Sequence, residues 1–374
     1  MAADTLCSTP YGDYRLRRYP KRRDEPLQAW CAADLLLLEE LHRLGVRGDQ
    51  LLVVNDDHGA LAVPLQPAAV WTDSALASLA IQQNLADNGR PPVTNVWSTE
   101  LPPADVAVVA LRIPKQLQFL EYQLVVLGKL LPQGSTVLTA GMDKHLSPRV
   151  ADLLEQHIGP TQRYRGQRKA RLFSAIRDNR PAAPPEKNSG YYCEAAGGEL
   201  QSMPNVFSQD RLDGGARLLV DTLAGLEPVT TLADLACGNG VLGLAALRRE
   251  LCQQAVFADE SAMAIASARL NVTRLAPGLQ DRCVFHHGDG LLDYRGPKAE
   301  LILCNPPFHL NHAVDEYAGR RLLTQCASHL EPGGRLCLVA NRHLDSQATL
   351  RRDFRRLEKL AQDKRFIVWL AQRN

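Results

Sequence analysis

No C-x-x-C pair occurs among the nine cysteines of this 374-residue chain. Scattered and odd in number, they argue against a disulfide framework and against a structural zinc site, so no metal is expected. Several fall inside apolar runs, where Cys behaves as a small hydrophobe. Charge of one sign is also missing. The formal net charge is +2, so a nucleic-acid partner would have to be met by local patches. No uninterrupted apolar run approaches the ~20 residues of a membrane span, and no signal peptide is visible. A cytoplasmic protein with no membrane partner is expected, with monomer as the default. With 45% hydrophobic and 22% charged residues, the length favours two domains of ordinary size, each with its own core.

Strands alternate with helices along the chain. After a Tyr- and Arg-rich start (Tyr11 to Arg23), a helix is expected over Leu27–Leu44, between Pro26 and Gly45. The start has two readings: a ribbon that tracks RNA and stacks bases, or a solvated arm. Strands follow at Leu51–Val54, Val70–Asp73, Val93–Trp97, Ala104–Ile113 and Ser135–Thr139, with helices at Ala75–Leu85 and Gln116–Leu130. Two short strand candidates surround Arg163, Arg165, Arg168, Lys169 and Arg171, which read equally as a solvated hairpin or a phosphate-binding ribbon. A Pro/Gly/polar stretch then marks a boundary. The expected domains are 1–180 and 201–374, joined by a linker at 181–200.

The second half repeats the plan. Strands are expected at Thr231–Ala236, Ala255–Asp259, Arg282–His286, Glu300–Cys304, Arg335–Ala340 and Phe366–Leu370, the last antiparallel. Helices are expected at Val241–Arg249, Met263–Arg274, about Ala313–Leu330 and around Leu350–Leu357. Gly59 answers Gly240, Asp73 answers Asp259, Pro114 answers Pro306, and Pro132-Gln133-Gly134 answers Pro332-Gly333-Gly334. This predicts a duplicated α/β fold, each half a doubly wound, mostly parallel sheet with an antiparallel terminal strand.

Two constellations carry chemistry, both in the second half. Asp234-Leu-Ala236-Cys237-Gly238-Asn239-Gly240 lies between a strand and a helix, where glycines allow a ligand close to the backbone. Asp259, followed by Glu260, ends the next strand, where an acid can take both hydroxyls of a ribose. Counting Gly243, the turn also fits a dinucleotide fingerprint, but Asp234 would repel a pyrophosphate and attract a sulfonium or amino group. Asp289, between two glycines, is placed to accept from an adenine amine, or is a turn residue. The second constellation is Asn305-Pro306-Pro307-Phe308 at a strand end. The prolines lack N–H groups and stiffen the exit from the strand. Asn305 Oδ1 and the Pro306 carbonyl can each accept one hydrogen of an exocyclic amine, with Phe308 stacking on the base. The first half has one glycine in its turn and Ile113-Pro114-Lys115 at the matching strand, without the acceptor Asn or the Phe.

This pattern resembles the class I S-adenosylmethionine-dependent methyltransferases, a Rossmann-like fold. Leu27-Gln28-Ala29-Trp30, Asn205-Val206-Phe207-Ser208, Leu212-Asp213-x-Gly215-Ala216-Arg217, Cys304-Asn305-Pro306-Pro307-Phe308-His309 and Ala340-Asn341-Arg342-His343-Leu344 narrow it. They are similar to the tandem-domain guanine-N2 methyltransferases of bacterial ribosomal RNA, the large-subunit methyltransferase G family. The resemblance implies S-adenosylmethionine as cofactor and methylation of one guanine amine in 23S rRNA. It also implies a degenerate first domain that grips RNA without binding the cofactor. One departure is Ala236, where the family more often has Gly; the added methyl should narrow the turn slightly. The small-subunit sister family, acting on 16S rRNA, shares the plan. Asn-Pro-Pro-aromatic sites also serve adenine, cytosine and protein glutamine amines, and a non-catalytic RNA-binding assembly factor is the rival from another class. His309, His312 and His343 read as polar rim residues. Arg320, Arg321, Arg342, Arg351 and Arg352 read as phosphate holders or solvated faces.

Overall fold

The structure is a computed structural model and describes residues 3–181, 188–306, 313–343 and 346–373. The chain divides into two compact units, Met1–Lys187 and Asn188–Asn374.

The first unit opens with a hairpin, β1 (Leu6–Thr9) and β2 (Gly12–Arg15). It continues through α1 (Ala32–Arg43), β3 (Leu51–Val54), α2 (Ala62–Leu65), β4 (Ala69–Thr72), α3 (Ala75–Asp87) and β5 (Thr94–Trp97). Then come β6 (Val108–Arg112), α4 (Leu117–Leu130), β7 (Thr136–Met142), α5 (Val150–His157), β8 (Thr161–Arg163) and β9 (Ala170–Ile176). Its sheet has the order β5-β4-β3-β6-β7-β9-β8, parallel through β7 and antiparallel at β9 and β8. The Tyr/Arg-rich start is ordered rather than a free arm. Cys7, Tyr14 and Leu16 join the core under α1. Helix α1 begins at Ala32, not Leu27, because Asp34 reaches back to the Cys31 N–H and closes a capping box.

The second unit begins with β10 (Ser189–Cys193) and β11 (Gly198–Ser202), a hairpin where a linker was expected. Cys193, Ala196 and Leu200 are buried in its core, so the expected linker loses residues 189–200 to that core. There follow α6 (Gly214–Thr222), β12 (Val229–Leu235), α7 (Val241–Arg248), β13 (Cys252–Asp259), α8 (Ala262–Leu275) and β14 (Cys283–His287). The chain closes with β15 (Ala299–Cys304), α9 (Ala313–His329), β16 (Leu330–Asn341), α10 (Ser346–Leu350), β17 (Arg356–Gln362) and β18 (Phe366–Gln372). The sheet order β14-β13-β12-β15-β16-β18-β17 repeats that of the first unit strand for strand. The duplication is real. The helix expected at Leu350–Leu357 is corrected: it stops at Leu350, and Arg356–Gln362 is the edge strand β17. Its polar, largely exposed sequence hides strand periodicity, because one neighbour and half a face of contact suffice at an edge.

Hydrogen-bond register also corrects how the halves correspond. Val54 faces Trp71 and Leu111, as Leu235 faces Ala258 and Cys304. Thr72 therefore answers Asp259, Asp73 answers Glu260 and Arg112 answers Asn305, so the pairing runs one residue away from the sequence match. The sheet ladder, unlike residue identity, admits no slip without turning side chains to the other face.

Candidate active site

Parallel strands β12, β13 and β15 end at one edge of the second sheet, the edge where open α/β sheets take ligands. The turn after β12 is left-handed at Ala236 (φ 58°), Gly238 (φ 54°) and Gly240 (φ 82°). Within it the Cys237 N–H donates to the Ala258 carbonyl, the Gly238 N–H to Asp259 Oδ2 and the Gly240 N–H to the Cys237 carbonyl. A Cβ built on Gly238 meets nothing within 4 Å, so the turn is open there. Gly243 serves packing instead: a Cβ on it would lie 2.4 Å from Phe257 Cε1, and its N–H donates to Asp234 Oδ2 at 2.8 Å. This is the close helix–strand contact that a third glycine provides.

Asp234 is fully buried, and its Oδ1 has no hydrogen-bond partner among the described residues. Burial pushes its carboxyl up to about 8, against the Gly243 N–H, which lowers it. Asp259 is fixed at both oxygens: Oδ2 accepts the Gly238 N–H and Oδ1 the Ser261 N–H, each at 3.0 Å. Glu260, half-buried, gives its carbonyl to the His287 ring at 2.9 Å. Cys237 is buried, its N–H donated to the Ala258 carbonyl and its thiol pushed up by burial. Asn239 turns inward. Its Nδ2 donates to Tyr191 Oη and Ser202 Oγ, both at 3.2 Å, and its carbonyl accepts from Asn271. It therefore ties the turn to the β10–β11 hairpin, a support that no sequence pattern announced. Asp289 is bound by the Arg321 guanidinium and approached by Gln325 Nε2. The carboxylate expected to face adenine is thus paired with Arg321, one of the arginines read as a phosphate holder or a solvated face.

Asn305 follows β15, half-buried, and Pro306 is buried. Pro307, Phe308, His309, His312 and Leu344 lie outside the described residues. Asn305 Nδ2 donates to Asp213 Oδ2 at 3.3 Å. Asp213 is the N-cap of α6, the same oxygen accepting from Gly215 N at 2.9 Å and Ala216 N at 3.1 Å. A carboxylate oxygen only accepts, so this contact assigns Nδ2 to Asp213 and leaves Asn305 Oδ1 for a donor. A Cβ on Gly215 would lie 3.3 Å from Oδ1 and 3.4 Å from the Phe366 ring. Asp213 was legible only as part of a family-like string; its N-cap pattern before a helix is the signal that finds it.

Residues 4–179 match the RLMG N-terminal domain and residues 197–370 the methyltransferase small domain. A ribosomal RNA large subunit methyltransferase G from Alcanivorax borkumensis is 39% identical, over 97% of this chain and 96% of that one. One from Pseudomonas aeruginosa is 38% identical, over 98% and 99%. The chain belongs to the ribosomal RNA large subunit methyltransferase G family. Among solved structures, the T. thermophilus 16S rRNA N2 G1207 methyltransferase in complex with AdoMet and guanosine is similar across 99% of this chain and 98% of that one. Its TM-score is 0.76 at 19% identity, which shows that the fold is shared. The architecture of the family is thus two tandem Rossmann-like methyltransferase domains.

S-adenosylmethionine is the donor of this fold, and the second unit fits it: an open left-handed turn, an unpartnered buried carboxylate oxygen at Asp234, and a fixed acid at Asp259. The first unit fills the same places with its own side chains. Asn55 (φ 60°) and Gly59 (φ 84°) repeat the backbone of Ala236 and Gly240. Between them Asp56, buried, accepts the N–H groups of Gly59, Ala60, Leu61 and Ala62 at 2.8–3.0 Å. Those N–H groups are held by a side chain of the turn itself. Thr72 stands where Asp259 would, its hydroxyl taking the Ser74 N–H. Arg112 stands where Asn305 would and is locked to Asp34 in a buried ion pair.

A basic cluster of the first unit lies beside that filled turn: Asn84 Nδ2 donates to the carbonyls of Arg17 and His58, at 2.8 and 2.7 Å. Arg17, Arg18, Lys21, Arg22 and Arg23, with Asp4 and Glu25, line a cleft of about 250 Å³. Arg168 pairs with Glu39 and Arg171 with Asp143. Among the described residues no helix is long and apolar enough to cross a membrane, and no acidic, His or Cys cluster could hold a metal.

Proposed function

We propose that the second unit, residues 201–374 with the hairpin that precedes them, transfers a methyl group from S-adenosylmethionine to the exocyclic N2 amine of one guanine in 23S ribosomal RNA. The observation that carries this is Asn305, its Nδ2 held by Asp213 so that Oδ1 is the atom left to accept, beside an open glycine turn. The donor supplies a methyl group on a positively charged sulfur. Gly238, Gly240 and the backbone of 236–240 cradle it, Asp259 and Glu260 take its ribose side, and Asp234 faces its positive charge. Asn305 Oδ1 and the Pro306 carbonyl each accept one amine hydrogen, which turns the nitrogen lone pair toward the methyl. Pro307 keeps the strand exit stiff and Phe308 stacks on the base. No strong base is needed, so positioning carries most of the rate.

The first unit, residues 1–180, grips RNA and takes no donor, since Asp56 and Arg112 occupy the two sites. The names of the relatives favour large-subunit rRNA over the 16S rRNA of the structural neighbour. The test is methyl transfer to purified 23S and 16S rRNA, with mass mapping of the modified base. Transfer to one guanine N2 of 23S rRNA is expected, and Asn305→Ala should cut turnover at least about tenfold while donor binding persists. Modification of 16S rRNA alone, or of none, rejects the proposal.

A further inference from the structure

The second unit has a basic feature that the chemistry above does not use. Strand β18 runs antiparallel to β16, with Phe366 opposite Asn341. The β17–β18 turn, Asp363-Lys364-Arg365, therefore lands at the edge where β15 ends. Strand β16 continues to Asn341, beyond the Leu338 that faces Cys304. Asn341 thus stands roughly 10 Å past the level of Cys304, at ~3.3 Å per residue. Arg342 ties the two segments together: its N–H donates to the Arg365 carbonyl at 2.8 Å and its Nη1 to the Asp363 carbonyl at 3.0 Å. The acid in the turn is committed to backbone, Asp363 Oδ1 accepting the N–H groups of Arg365 and Phe366 at 2.7 and 2.6 Å. The side chains of Arg342, Lys364 and Arg365 are exposed.

This rim connects directly to the acceptor. The Phe366 ring leans on α6, 3.0 Å from a Cβ built on Gly214, and Gly215 borders both that ring and Asn305 Oδ1. In the first unit the matching turn closes on its own acids, through Arg168–Glu39 and Arg171–Asp143. We propose that Arg342, Lys364 and Arg365 form a phosphate-gripping rim that holds the RNA backbone beside the target base as its amine reaches Asn305. The inference rests on the methyl-transfer reading above. Phosphate contacts fix register without reading sequence, so the rim positions the strand and leaves base choice to the pocket.

The test is steady-state methyl transfer to 23S rRNA across a range of salt, with wild type, the double variant Lys364→Ala/Arg365→Ala, and Arg295→Ala/Lys298→Ala as control. The control cations are exposed and precede β15, at the opposite end of the sheet. For the rim variant, KM for RNA should rise about tenfold, with kcat and donor affinity kept. The slope of log KM against log salt should fall by about 1.4, at roughly 0.7 per lost single-strand contact. Lys364→Ala alone should show half that change in slope, and it decides the matter if the double variant loses donor affinity. Unchanged KM and slope, or an equal change in the control, overturns the rim. Failure of wild type to methylate 23S rRNA overturns the underlying reading instead, so the two failures are distinguishable.

Discussion

Asn305 Nδ2 donates to Asp213 Oδ2, the oxygen that also caps helix α6. One carboxylate thus fixes a helix start and the orientation of the acceptor amide. The first unit builds the same pairing, Asp34 at the start of α1 holding Arg112 at the end of β6, with a cation in place of an acceptor. The scaffold is shared by both halves, and Arg112 in place of Asn305 is one of the positions where their chemistry differs.

Asp213→Asn separates the two tasks. Asn caps helices about as well as Asp, so the melting temperature should hold within about 2 °C. The neutral amide no longer dictates which way Asn305 points, and kcat should fall about tenfold, on the scale of one lost orienting hydrogen bond. A kcat drop with donor affinity and melting unchanged supports the positioning role; an unchanged kcat removes it.

Ala236 is held at φ 58° without being glycine. The left-handed conformation costs a non-glycine residue roughly 1–2 kcal/mol, partly offset by the greater unfolded-state freedom of Gly. Ala236→Gly should therefore stabilise the protein by about 0.5–1 kcal/mol, read as a higher urea midpoint at constant slope.

Burial pushes the Asp234 carboxyl from an ordinary 3.8 up to about 8 in the folded protein. Between those values the unfolded chain is ionised there and the folded one protonated. This contribution to stability is thus complete below about pH 4 and is lost as pH rises through 8. A positively charged donor beside the group favours the carboxylate. Donor binding at pH 7 should release close to one proton, and affinity should climb from pH 6 to 8. Calorimetry in buffers of different ionisation enthalpy measures this, and Asp234→Asn should abolish the release.

Because Asp56 accepts five N–H groups in the first turn, calorimetry should count one S-adenosylmethionine per chain. Asp56→Ala strands buried donors and should destabilise the protein by about 2–4 kcal/mol. A stoichiometry of two in the wild type would show that the first turn is not closed.

Sequence alone determined the alternating strands and helices, the duplication, the glycine turn and the Asn305 strand end, because apolar period, glycine and proline act locally on the backbone. Tertiary structure decided the rest. Register shifted Asp73 from Asp259 to Glu260, since cross-strand pairing is invisible along one strand. Packing turned Asn239 inward to Tyr191 and Ser202, and gave Asp289 to Arg321. It also recruited residues 189–200 into a core and brought Asp213 to Asn305, 92 residues apart. Such partners meet only after the sheet has closed, because a side chain's hydrogen bonds are set by what the fold brings beside it.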